Sequence, residues 1–168
     1  MAKQNIISGV ADALNRLTGR TFTMIVGRDW KLDELVETGG YDYVDPEITD
    51  HAAKEAAVGT GQYSAEYRVL RFKDPIPFDR IGQTVRALGY DRPANLRELA
   101  AYGIRQRGRK IVGIIAAASS NVMRPHNVRR TAVIAEMDGG GRALTVGSLL
   151  ASYGDCFKLL VVRDIRPA

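Results

Sequence analysis

The first regular pattern along the chain is helical. Between Asn5 and Leu17 the apolar residues Ile6, Ile7, Val10, Ala13, Leu14 and Leu17 return at the spacing of one helix face, and Gly19 supplies a stop. Thr21 to Gly27 is rich in β-formers and bounded by glycines, which predicts a strand. Asp29 can cap a short helix over Lys31 to Glu37 that Gly39-Gly40 ends. Tyr41 to Thr49 reads as a loop with aromatic anchors, because Pro46 lacks a donor and pushes Asp45 towards an extended conformation. Asp50 to Val58 carries helix-friendly alanines before Gly59-Thr60-Gly61 breaks the chain.

A period of two then takes over. Tyr63, Ala65, Tyr67, Val69 and Arg71 alternate with Ser64, Glu66, Arg68, Leu70 and Phe72, predicting a strand near Gln62 to Lys73 that Pro75 and Pro77 close. Phe78, Ile81, Val85 and Leu88 form a helical stripe stopped by Gly89. Asn95 with Glu98 three residues on has the form of a capping box, opening a second helix through Leu96, Leu99, Ala100, Tyr102 and Gly103. Lys110 to Ser119 encloses a fully apolar run of strand length, as a central strand requires. Three further strands are expected at Thr131 to Met137, Arg142 to Val146 and Phe157 to Arg163. Asp138-Gly139-Gly140-Gly141 marks a hairpin between the first two, since positive φ is free at glycine.

With no repeat and no long linker, the pattern describes one α+β domain over residues 1–168: a helix and strand extension over 1–40, then a core over 41–168 in which helices pack on a C-terminal antiparallel sheet. At this length folding buries about 70% of the extended chain's surface, so neither disulfides nor structural metal are required. The N-terminal segment reads as part of the mature fold, since it has one cation and no continuous apolar core of a leader.

Charge sharpens the picture. The chain carries 24 Lys+Arg against 19 Asp+Glu, but residues 1–84 hold 10 against 13 and residues 85–168 hold 14 against 6. The basic excess therefore belongs to the C-terminal half, where a one-sided positive field attracts nucleic acid, anionic lipid or an acidic protein face. It gathers in Arg105, Arg107, Arg109 and Lys110, and again in Arg124, Arg129 and Arg130. Both groups flank the apolar run Ile111 to Ala118, so they could lie at the ends of neighbouring strands and form one patch. No aromatic residue falls within either group, whereas single-strand binders stack bases on aromatic rings.

Catalytic constellations are thin by comparison. The lone Cys156 opens a predicted strand rather than a helix, and His51 and His126 have neither an i, i+4 partner nor a metal-ligand pattern. One Cys and two His cannot fill a zinc site without carboxylates, and an unpaired Cys points to a reducing compartment. Gly139-Gly140-Gly141-Arg142 lacks the Lys-Ser/Thr of a phosphate loop and fits a hairpin turn better. The pairs Asp33/Glu34 and Asp45/Glu47 have no company that would mark an acid and a base. The apolar run is far short of the ~20 residues of a membrane helix. No catalytic residue, metal ligand or cofactor is assigned.

The blocks Tyr41-Asp42-Tyr43-Val44 to Ile48-Thr49, Arg92-Pro93-Ala94-Asn95-Leu96-Arg97-Glu98-Leu99, Ile111 to Ala116 and Phe157-Lys158-Leu159-Leu160-Val161-Val162-Arg163 occur in an order that resembles a family of small, mostly uncharacterised bacterial and phage proteins. The resemblance covers about residues 41–164 and implies no established activity. The last part is also similar to the C-type-lectin-like fold of variable ligand-binding proteins. Those relatives carry tryptophans between the last strands, where this chain has none after Trp30, and no ligand residue is carried over.

These readings converge on a non-catalytic interaction or structural protein of bacterial or phage origin, cytoplasmic or virion-borne, which binds a protein partner or a further copy of itself through a basic C-terminal face. The alternative is a nucleic-acid-binding protein that uses the two basic segments.

Overall fold

The computed structural model describes residues 20–54, 60–72, 78–110, 114–117, 130–148 and 157–168. The elements run β1 (Phe22–Gly27), α1 (Leu32–Thr38), β2 (Tyr43–Val44), α2 (Pro46–Lys54), β3 (Gln62–Arg71), α3 (Phe78–Ala87), β4 (Arg92–Pro93), α4 (Leu96–Arg105), β5 (Ile114–Ala117), β6 (Arg130–Glu136), β7 (Arg142–Ser148) and β8 (Phe157–Pro167). The expected helix over 5–17, Cys156, His126, Arg124, Arg129 and the chain between β7 and β8 lie outside the described residues.

All eight strands join one sheet in the order β1-β3-β8-β5-β6-β7-β2. β4 and β5 lie end to end along one side of β8: Ile114 to Ala116 pair with Phe157 to Leu159, and Arg92 and Pro93 pair with Val162 and Val161. The α+β class holds, but the sheet is mixed where an antiparallel one is expected, since β5 runs parallel to β8 and β2 parallel to β7. A period of two fixes which face a side chain takes and is blind to strand direction. The parallel pairing of β5 and β8 is allowed because the β6–β7 hairpin intervenes, giving the chain length that a parallel return needs. Strands from the N-terminal segment also belong to this sheet. β1 pairs with β3 residue for residue from Phe22↔Tyr67 to Gly27↔Gln62.

Alternation then builds two cores. Leu160 and Val162 of β8, Ile115 of β5, Ala132 and Ile134 of β6 and Tyr63, Ala65 and Tyr67 of β3 turn to one face and pack with Leu32, Leu35 and Val36 of α1, Ile48 of α2 and Leu96, Leu99 and Ala100 of α4. Leu159 and Val161 of β8, Ala116 of β5, Val133 of β6 and Leu70 of β3 turn to the other face and meet Ile81 and Val85 of α3. Helices therefore cover both faces of the sheet. Burying apolar side chains of this size stabilises by about 1.5–3 kcal/mol each.

Two local readings need correction. The residue at the N-terminus of α1 is Lys31, with no side-chain cap, so Asp29 does not cap this helix. The segment around Pro46 is not a loop: Pro46 is the first residue of α2, where its missing N–H costs nothing. Asp45 supplies the cap, its Oδ1 accepting from the Glu47 N–H at 2.9 Å. The glycine turn is a hairpin as expected. The Met137 N–H donates to Gly141 O at 2.8 Å, with φ of 93° at Gly139 and 90° at Gly140.

Candidate binding surface

Two clusters of polar side chains stand out, one centred in the interior and one at the surface. The internal one grows from the capping box of α4. Asn95 accepts from the Glu98 N–H and the Glu98 side chain accepts from the Asn95 N–H, each at 2.9 Å. The box places the Glu98 carboxylate, which is completely buried, against the sheet where β3 and β4 flank β8. There Arg92 of β4 donates to both its oxygens, at 2.7 and 2.9 Å, and the hydroxyls of Tyr63 and Tyr67 on β3 donate to Oε1 at 2.9 and 3.0 Å. Five donors thus fill the roughly four lone-pair sites that a carboxylate offers. Glu98 has no acceptor capacity left for a substrate proton, and the cluster works as a clamp between β3, β4 and α4.

Burial, with the nearby Glu98 carboxylate as the second cause, raises the pKa of both Tyr63 and Tyr67 well above the ordinary value of 10.0. Burial also raises Tyr41 and Tyr102. A folded-state pKa above the unfolded one makes these hydroxyls stabilising while both states keep the proton, and that stability is lost as pH rises past the unfolded value. We therefore expect stability to be flat up to about pH 10 and to fall above it by up to about 1.4 kcal/mol per pH unit for each tyrosine that ionises only on unfolding. Denaturation midpoints followed between pH 8 and 11 check this, and midpoints that hold through pH 11 would refute it.

The second cluster forms where α1 and α4 end side by side. Arg142, the first residue of β7, is buried, and it donates from Nη1 to Gly39 O at 3.3 Å and from Nη2 to Gly103 O at 2.8 Å. One guanidinium thereby caps the C-terminal ends of two helices, each of which carries about half a negative charge. The guanidinium also stands 5.2 Å from the centroid of the Tyr41 ring, while the Arg142 N–H donates to Asp42 Oδ2 at 2.7 Å. Tyr41 is wedged between glycines: a Cβ on Gly39 would lie 2.2 Å from its ring and one on Gly103 would lie 1.8 Å from its hydroxyl.

Gly103 sits in the last turn of α4, where alanine is ordinarily better by up to about 1 kcal/mol. Here the Tyr41 contact reverses the sign, and Gly103→Ala is expected to destabilise by about 1–3 kcal/mol. Tyr41→Phe removes a buried hydroxyl that has no hydrogen-bond partner among the described residues and should be neutral or mildly stabilising. In a double-mutant cycle read by chemical denaturation, Tyr41→Phe should recover part of the Gly103→Ala loss; strict additivity would disprove the wedge.

Around this buried centre lie the cations singled out in the sequence. Arg105, Arg107, Arg109 and Lys110 are all exposed. Arg105 stacks on the Phe22 ring with its Cζ 5.0 Å from the centroid, and that ring lies 5.6 Å from the ring of Tyr102. Arg107 runs over Gly40, its Nε 3.0 Å from where a Cβ would be. Arg109 follows in the turn after α4, its N–H donating to Gln106 O at 2.9 Å. Lys110 is paired with Glu136 at 3.3 Å. Among the described residues no carboxylate forms an ion pair with Arg105, Arg107 or Arg109.

The other basic segment lies elsewhere on the strand ladder. Lys110 meets Glu136 at one end of β6, and Arg130 opens the other end opposite Ser148. Six residue steps at ~3.3 Å each put these ends about 20 Å apart. Arg130 therefore stands away from the Arg105–Arg109 cluster, and the described residues do not bring the two segments into one patch. What the sequence analysis missed is Arg142, which joins the first cluster from a strand and was legible only as part of a glycine turn.

The fold and the surface together define an α+β domain with one mixed sheet, helices on both faces and an arginine-rich end at two helix C-termini. Comparison with protein families, with curated proteins and with solved structures finds no match. Among the described residues no group of three or more His, Cys, Asp or Glu side chains is placed to hold a metal ion, and no helix is long and apolar enough to cross a membrane.

Proposed function

We propose that this chain is a non-catalytic binding protein, of the bacterial or phage kind its sequence resembles, which engages an acidic face of a protein partner through the end that carries Arg105, Arg107 and Arg109. The observation that carries this reading is that three exposed guanidinium groups cluster there with no carboxylate paired to them. Guanidinium groups held in this way recognise carboxylates in planar, bidentate geometry. The buried polar groups Glu98 and Arg142 support the same reading because both are engaged in holding the fold.

A protein partner is favoured over nucleic acid by the aromatic rings. The rings of Phe22 and Tyr41 lie at this end, and guanidinium groups of this chain already stand over both, where bases would stack. The test is retention. The immobilised full chain is challenged with a library of acidic peptides and with single- and double-stranded DNA oligonucleotides at ~50 mM salt, where contacts to phosphate are strong. Acidic peptides should be retained by the wild type and lost, by more than tenfold, by the triple variant Arg105→Glu/Arg107→Glu/Arg109→Glu. Retention of DNA alone would overturn the reading in favour of nucleic acid, and equal retention of peptides by the variant would remove this surface from it.

A further inference from the structure

Within that basic end, and resting on the reading of it as a surface for acidic protein, we infer that a single carboxylate of the partner seats at the Tyr102 hydroxyl, between Arg105 and Arg109. Tyr102 and Arg105 are three residues apart on α4, the spacing that places side chains on one helix face. The Phe22 ring fixes their distance: Tyr102 lies against it at 5.6 Å between centroids, and Arg105 lies on it at 5.0 Å. Arg109 follows in the turn directly after α4, and Arg142 donates to the carbonyl of Gly103, the residue after Tyr102. The positive charges of Arg105, Arg109 and Arg142 all act on the Tyr102 hydroxyl, which burial otherwise makes harder to ionise.

Among the described residues that hydroxyl has no hydrogen-bond partner, although its ring is largely buried. It is a protonated donor surrounded by cations, and its complement is an anionic acceptor. A carboxylate has two oxygens, one to accept from the phenol and one to accept from a guanidinium, and a hydrogen bond to a charged group is the stronger kind. A nucleic-acid backbone fits less well. Its phosphates repeat along a line, and the described cation of the second basic segment, Arg130, stands at the far end of β6, about 20 Å from the end that Lys110 meets.

The measurement is isothermal titration of the full chain with an end-capped hexaglutamate peptide at ~50 mM salt, a regime in which such contacts are not yet screened away. Tyr102→Phe keeps every charge and the ring and removes only the donor, and it should weaken binding about tenfold, the worth of one hydrogen bond to a charged group. Arg105→Ala and Arg109→Ala should each weaken it at least as much. Arg107→Ala, which lies over Gly40, should cost about twofold by long-range charge alone. If hexaglutamate binds and Tyr102→Phe weakens it no more than Arg107→Ala does, the seat is overturned while the basic end survives as a binding surface. If hexaglutamate does not bind and acidic library peptides are not retained either, both fall. A variant with altered circular dichroism would be replaced by Tyr102→Leu, which removes the same donor, and the same ratios would be read.

Discussion

Replacing Glu98 by alanine is expected to lower the stability of this chain by about 3–5 kcal/mol, because it strips the partner from a charged group and leaves buried donors unmet. The loss has separable parts. Arg92 would keep its charge with its carboxylate gone, and since its side chain is about one-third exposed, water offsets some of that cost and places the effect near the lower end of the range. Tyr63 and Tyr67 would hold hydroxyls inside the core with no acceptor, and the Asn95 N–H at the start of α4 would lose half of its capping box. A domain of this size is stable by only 5–15 kcal/mol or so, making the change a large fraction of the total. Tyr63→Phe serves as the scale, since it deletes one of five donors and should cost about 1 kcal/mol. Urea titrations of the two variants decide the matter, and a Glu98→Ala loss no greater than that of Tyr63→Phe would show that the carboxylate is not the keystone of the clamp.

Glu98 also shows what a sequence can disclose. Its capping box was legible because the two halves are three residues apart and the geometry is that of any helix start. Its other partners were not. Arg92, Tyr63 and Tyr67 come to it only because β4 and β3 lie on opposite sides of β8, a neighbourhood created by pairings across the whole chain. The same division runs through the fold. The strands at Gln62–Arg71, Arg130–Glu136 and Arg142–Ser148 follow from alternation and turn chemistry, while the parallel pairings of β5 with β8 and of β2 with β7 carry no periodic signature. Pro46 failed as a local signal for a different reason. A proline both breaks helices and begins them, and the choice here turns on the Asp45 side chain, whose bond to Glu47 is a property of the folded turn.

At the candidate surface the exposed residues Arg105, Arg107 and Arg109 were visible as a run of charge, and the structure adds what they are gathered around. Their company is set by long-range packing: Phe22 comes from the first strand and Arg142 from the seventh. β8 itself is bent by a device the sequence hides. Asp164, with φ of 52°, sits where the pairing slips from Glu66↔Arg163 to Ser64↔Arg166, an extra residue taken up as a bulge.

Changing Arg142 to methionine is the sharpest test of how the basic end is held, and about 3 kcal/mol of destabilisation is expected, again from buried polar groups left without their partner. Methionine fills similar space beside Tyr41 but donates nothing. The Gly39 carbonyl would then lose its donor, the Gly103 carbonyl would keep only the Gln106 N–H at 3.2 Å, and two helix C-termini would lose the one positive charge that both share. Lysine restores the charge without the fork. An ammonium has no planar pair of donors to span two carbonyls that a guanidinium reaches at once, so Arg142→Lys should recover only part of the loss. Hydrogen exchange separates this account from a general loosening: protection should fall first in the last turns of α1 and α4 and along the pairing of β2 with β7, while β3 and β8 keep theirs. Because the buried centre positions Tyr102 and Arg105 from below, the same variant should weaken hexaglutamate binding even under conditions where it remains folded. Wild-type stability together with unchanged exchange in α1 and α4 would mean that the two helix ends do not depend on Arg142, and that the arginine-rich end is assembled by the surface cations alone.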